Sequence, residues 1–209
     1  NFFEKNIMPN IFLPDLMAVE SWDSKKNKII YDDSIFQEIS NTWVRDFSYP
    51  QKLIPSSQES FEVFKDDYLS ITEDKKTGYV VLSIKHQSPQ LAKQWVKIIF
   101  EEVNSFYRQK DKAQSERAVT FLNRQLIENN LSEIKKVTAS LLEKEIQKLT
   151  LVEANKDYVF EYVYPPSVME KKSEPNRFLI FILSLIFGAL SGMIIVLLMY
   201  YFSEGKNKE

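Results

Sequence analysis

His86 is the only histidine in the chain, and there is no cysteine at all. A lone imidazole with no cysteine or carboxylate cluster at ligand spacing makes a poor metal site. His86, between an expected strand end and a helix start, is therefore read as structural or exposed. The missing thiols exclude disulfides and cysteine nucleophiles. No G-x-x-x-x-G-K-[ST] run occurs, and four glycines are too few for a phosphate-cradling loop. Glu101-Glu102 and Asp66-Asp67 place carboxylates side by side, but they lie among lysines, as solvated surfaces do, and do not read as a general acid–base pair. Asn130-Leu131-Ser132 fits a glycosylation acceptor, a triplet common by chance. Trp95 and the many tyrosines are expected in core and subunit contacts. The residues that could do chemistry thus yield no catalytic group, no cofactor site and no metal site.

The elements that position them are more informative. A net charge of −2, with lysine and glutamate interleaved, leaves no basic footprint for nucleic acid. Asn1 to Pro50 is irregular, with scattered aromatics (Phe2, Phe3, Phe12, Trp22, Trp43), and reads as a short helix followed mostly by loop. Ser56 with Glu59 three residues on is a capping box, which predicts a helix from Ser57 to Lys65. Leu69 and Ile71, then a polar loop ending in Gly78, then Val80, Leu82 and Ile84 predict a β-hairpin. Ser88-Pro89 is an N-cap followed by a first-turn proline.

From Gln90 to Tyr164 there is neither glycine nor proline. Leu91, Trp95, Ile98, Ile99, Val103 and Phe106 keep helical spacing, as do Val119, Leu122, Leu126, Ile127, Leu131, Ile134, Leu141, Leu142, Ile146 and Leu149. "YVFEYVY", Tyr158 to Tyr164, is aromatic and β-branched and predicts a strand that ends at Pro165-Pro166. If that strand pairs with the hairpin near Val80, both ends of the helical stretch must meet, so the helix must turn back. "ENNLSE" is the expected turn, with Asn130 and Glu133 as cap and Asn129 left-handed.

Phe178 to Phe202 carries no charge over about 25 residues, enough to cross a bilayer with some tilt. Gly188 and Gly192 form a G-x-x-x-G pair that would let a second helix approach closely. Lys171, Lys172 and Arg177 precede the run and Lys206 and Lys208 follow it, so charge does not orient it. The opening "NFFEKNIMPNIF" has neither an initiator methionine nor a signal-peptide pattern, and a preceding segment is expected. The expected fold is α+β, a small α/β base with a long helical hairpin, followed by a C-terminal transmembrane helix. The divisions fall at 1–87 for a partial base, 88–157 for the hairpin and 158–177 for the returning strand and a lead-in with Pro165, Pro166 and Pro175. Residues 178–202 form the membrane helix and 203–209 a tail.

Several stretches together resemble the Wzz chain-length determinants, the polysaccharide co-polymerases of bacterial surface glycans. "FFEKNIMPNIF" with "SWDSKKNKIIYD" is similar to that family's early periplasmic segment. "SSQESFEVFKDDYLSITEDKKTGYVVLSIKHQSPQLAKQWVKIIFEEVN" is similar to its strand-turn-strand-helix centre, and "YPPSVMEKKSEPNRFLIFILSLIFGALSG" to its lead-in and second membrane helix. The resemblance covers nearly the whole chain. It implies an inner-membrane protein with its main domain in the periplasm and its tail in the cytoplasm, lacking here the first membrane helix and the earliest base strand. It also implies a homo-oligomeric ring and non-catalytic control of O-antigen length on lipopolysaccharide. The implied partners are a Wzy-type polymerase, membrane lipid and the growing lipid-linked glycan. Two alternatives stay open: a capsule or exopolysaccharide export subunit working with a separate tyrosine kinase, and a tail-anchored coiled-coil adaptor.

Overall fold

In a computed structural model that describes residues 2–169 and 177–206, the chain opens with a helical turn, Phe3–Ile7, widened so that the Met8 N–H reaches the Phe3 carbonyl. A tight turn at Met8–Asn10 follows, then the short helix α1, Leu13–Met17, with Pro14 in its first turn where the missing N–H costs nothing. Strands β1 (Val19–Asp23) and β2 (Lys28–Tyr31) pair antiparallel, and so do the two-residue strands β3 (Phe36–Gln37) and β4 (Thr42–Trp43). This corrects the expectation of mostly loop before Pro50. The β1–β2 turn contains no glycine. Asp23 accepts the Lys25 N–H at 2.8 Å and Asn27 takes the left-handed conformation at φ 48. Asn27 also accepts the Trp22 indole N–H at 3.1 Å. Side-chain bonding of this kind makes a turn without the usual glycine punctuation.

Helix α2, Ser57–Val63, begins where the capping box predicts, with Ser56 Oγ accepting the Glu59 N–H at 3.3 Å. It passes into a second widened turn, Phe64–Tyr68. Strands β5 (Leu69–Glu73) and β6 (Val80–Ile84) form the expected hairpin, pairing Leu69 with Ile84 and Ile71 with Leu82. Gly78 supplies the positive φ, 71, that the turn requires.

Helix α3, Pro89–Glu128, runs for 40 residues from a Ser88 cap that accepts the Leu91 N–H at 3.4 Å. It turns at 129–131 into α4, Ser132–Ala154, which packs back against it. The turn lies in "ENNLSE", but its chemistry differs from the expectation. Leu131, not Asn130, precedes α4, and no side chain caps it. Asn129 is extended at φ −87, its Nδ2 donating back to the Gln125 carbonyl at 3.0 Å. An asparagine that satisfies the end of the preceding helix is not obliged to turn left-handed. Ser115, Thr138 and Val152 are buried where α3 and α4 lie together, and Lys112 reaches Glu153 at 2.7 Å.

The core ties α3 to the base. Phe3, Ile7, Ile11, Leu16, Phe64 and Trp95 form one buried cluster. Trp95, 1% exposed, has the rings of Phe64, Tyr68 and His86 at 5.8, 5.5 and 4.9 Å. Truncating a fully buried aromatic of this size costs about 3–5 kcal/mol. Trp95 is therefore the bolt that fixes the root of the long helix.

Residues 1–168 form one unit and 169–209 a second. The second contains helix α5, Arg177–Lys206. Among the described residues no helix is long and apolar enough to cross a membrane. The described residues thus combine small β-hairpins with helices, the longest of which form the α3–α4 hairpin.

Candidate functional site

The chemistry-bearing residues of the base converge below the root of α3. Helix α1 brings Asp15, β2 brings Tyr31, and the end of β6 brings His86. The Tyr31 hydroxyl donates to Asp15 Oδ1 at 2.6 Å. His86 Nδ1 accepts the Ser88 N–H at 2.9 Å, and Nε2 lies 3.0 Å from the Asp15 carbonyl oxygen. An Nδ1 that accepts leaves the proton on Nε2, which donates to that carbonyl. Burial holds the His86 pKa below its ordinary value, with the neighbouring Asp15 working the other way. Burial also pushes Asp15 up, against the hydrogen bond from Tyr31, and raises Tyr31 in turn. Both imidazole nitrogens are bonded to backbone groups, so neither faces open space where a metal could sit. Among the described residues no group of His, Asp and Glu is arranged to hold a metal ion. A depression of about 290 Å³ is lined by Glu20, Lys28, Tyr31, Asp33 and Glu38, but Lys28 is paired with Glu38 at 2.9 Å.

A second constellation is the loop between β4 and α2. Arg45 donates through Nε to the Leu53 carbonyl at 3.1 Å and through Nη2 to Glu59 at 2.8 Å, and it also bonds the Lys52 carbonyl. This one guanidinium closes the loop 46–53 against α2 and leaves Phe47 and Tyr49 exposed. The bidentate fork is what arginine offers and lysine does not.

Tyr158 to Tyr164 is not a strand, which corrects the expected pairing with the hairpin near Val80. The segment is irregular, with bends at Val159, Val163 and Tyr164, and runs back along α3. Tyr158 bonds Asp111 at 2.8 Å, Asn104 clasps Phe160, and the Tyr162 ring stacks on Phe100 at 3.7 Å. Phe160 thus meets Asn104 and Tyr162 meets Phe100, two residues of the segment matching four of the helix. Asn104 Oδ1 accepts both the Val159 and Phe160 N–H groups, at 2.7 and 2.9 Å. Two consecutive N–H groups meet one oxygen because the chain bends at Val159, an arrangement a neighbouring strand could not satisfy. Sequence reasoning missed Asn104, although a polar residue in register with Phe100 within an apolar stretch is the signal that marks it.

Of the residues expected to pack membrane helices, Gly188 and Gly192 lie one turn apart on α5. Within that helix a Cβ built at either meets nothing within 4 Å. Ser184 and Ser191 fold back onto the Phe181 and Gly188 carbonyls at 2.8 and 3.0 Å. Pro165 and Pro166 follow the clasped segment in irregular backbone, while Pro175 lies outside the described residues. Apolar side chains stay exposed on both arms of the hairpin, among them Phe121, Ile127, Val137 and Leu151. Leu122, Leu126 and Ile134 of the expected stripes are half-buried or exposed. Neither a protein-family model nor a curated protein sequence matches the chain.

Proposed function

We propose that the chain is a non-catalytic regulator of surface-polysaccharide length, a self-assembling inner-membrane co-polymerase that works beside a Wzy-type polymerase on lipid-linked O-antigen. The observation that carries this reading is the long α3–α4 hairpin rising from a small base, with Phe121, Ile127, Val137 and Leu151 exposed along it. A single hairpin gains nothing from apolar residues turned to water, whereas copies packed side by side bury them. A ring of such copies offers repeated surfaces to a growing chain without any bond-making group. The uncharged run Phe178 to Phe202 supports α5 as a membrane leg. Gly188 and Gly192 on that leg would allow close approach of a neighbouring helix. The resemblance to the Wzz family supports the periplasmic placing of the base and hairpin.

The test is a gel of surface polysaccharide from cells with the gene deleted and then restored. The expected ladder loses its favoured length band on deletion and regains it on restoration. An unchanged ladder from a parent strain shown to express the protein refutes the reading.

A further inference from the structure

We propose that His86 makes the joint between the base and α3 acid-sensitive, holding the first turn of α3 closed as a neutral imidazole and releasing it on protonation. The geometry is specific. Nδ1 is the acceptor for the Ser88 N–H, and Ser88 is the N-cap of α3, only 3% exposed. A proton on Nδ1 sets two donors face to face and leaves a buried N–H without its acceptor. It also places a positive charge beside the N-terminus of a 40-residue helix, the end that already carries partial positive charge.

The groups that face the ring from each packed element do little to offset this. Helix α1 presents Asp15, whose carboxylate is occupied by the Tyr31 hydroxyl from β2. The Phe64–Tyr68 turn presents Tyr68, whose hydroxyl donates to the Leu16 carbonyl at 3.0 Å, with Asp67 beside it in sequence. Helix α3 presents the uncharged Trp95, and its first turn has no acidic residue. On the histidine's own segment Lys85 is the neighbouring charged residue. Among the described residues Asp15 is the anion that favours the imidazolium.

The sign follows from burial, which holds the folded midpoint of His86 below 6.5. The stabilising contribution is complete above about 6.5 and is lost as pH falls through the folded midpoint. Asp15, raised from 3.8, acts in the opposite direction, its contribution being lost as pH rises through its own folded midpoint.

The experiment uses the full, untagged chain in lipid nanodiscs, where ¹³C-labelled histidine gives a single ring signal. The ring midpoint is expected below 6.5. Amide exchange at Ser88 and Leu91, corrected for intrinsic rate, is expected to accelerate over the same pH range. The gain should be about tenfold for each pH unit between 6.5 and that midpoint. His86→Gln should abolish the acceleration. A midpoint at or above 6.5, protection retained after the ring has titrated, or equal acceleration in His86→Gln overturns the proposal. If that variant does not fold, Asp15→Asn keeps the histidine and removes its counter-charge. It should lower the midpoint and carry the pH at which the acceleration levels off down with it, and a levelling-off that stays in place overturns the proposal.

Discussion

Asn104 holds both backbone polar groups of Phe160, accepting its N–H at 2.9 Å and donating to its carbonyl at 3.0 Å. One buried amide thereby fixes residues 159–160 against α3 without any sheet. It also sets where the chain leaves the hairpin.

Asn104→Ala should therefore release this segment without disturbing the core around Trp95. Three hydrogen bonds disappear, but the Phe160 side chain is half in water, so solvent recovers part of the loss. The expected cost is about 1–3 kcal/mol in the urea midpoint, with amide protection lost at Val159 and Phe160. If the stacking of Tyr162 on Phe100 held the segment unaided, protection would persist in the variant and the clasp would be redundant.

Arg45 and Glu59 offer a second test, through acid. Their side chains are 12% and 18% exposed, and the Arg45 guanidinium beside Glu59 holds its carboxyl below 4.5 against the opposing effect of burial. The pair's contribution is complete above about 4.5 and is lost as pH falls through the folded midpoint of Glu59. Glu59→Gln should be less stable than the parent at pH 6, by up to about 3 kcal/mol, since it leaves Arg45 without its anion. The gap should narrow steadily below pH 4.5. Urea titrations of both proteins at a series of pH values measure it, and a gap independent of pH would show that packing, not charge, holds the loop.

Elements punctuated by local chemistry were legible in the sequence. Ser56 with Glu59, Ser88 with Pro89, and Gly78 mark boundaries through bonds made within a few residues, and each boundary stands where it was expected. Elements that depend on distant partners were not. Tyr158 to Tyr164 has strand propensity but forms no strand; its partner is Asn104, more than fifty residues away, and the polar position that marks Asn104 does not say which segment it binds. β1 and β2 were hidden for a different reason: Asp23 and Asn27 build the turn from side chains. Asn130 was misjudged because the cap motif was read in isolation, while Asn129 already satisfied the end of α3. Within the candidate site, the sequence leaves His86 structural or exposed, and the joint it closes required the positions of Asp15 and Ser88.

Gly188 and Gly192 bear on the proposed membrane leg. At either position a Cβ meets nothing within 4 Å in α5 itself, so leucine there leaves the helix intact and, if anything, raises its propensity. What leucine removes is the flat strip on which a second helix could lie at close range. Gly188→Leu with Gly192→Leu should leave expression and the fold of residues 2–168 unchanged, yet shift or broaden the glycan length distribution. The circular dichroism of the purified variant separates the two effects. An altered ladder with a native spectrum places the glycines in a helix–helix contact. An unaltered ladder at normal expression removes the idea of close helix approach at these glycines.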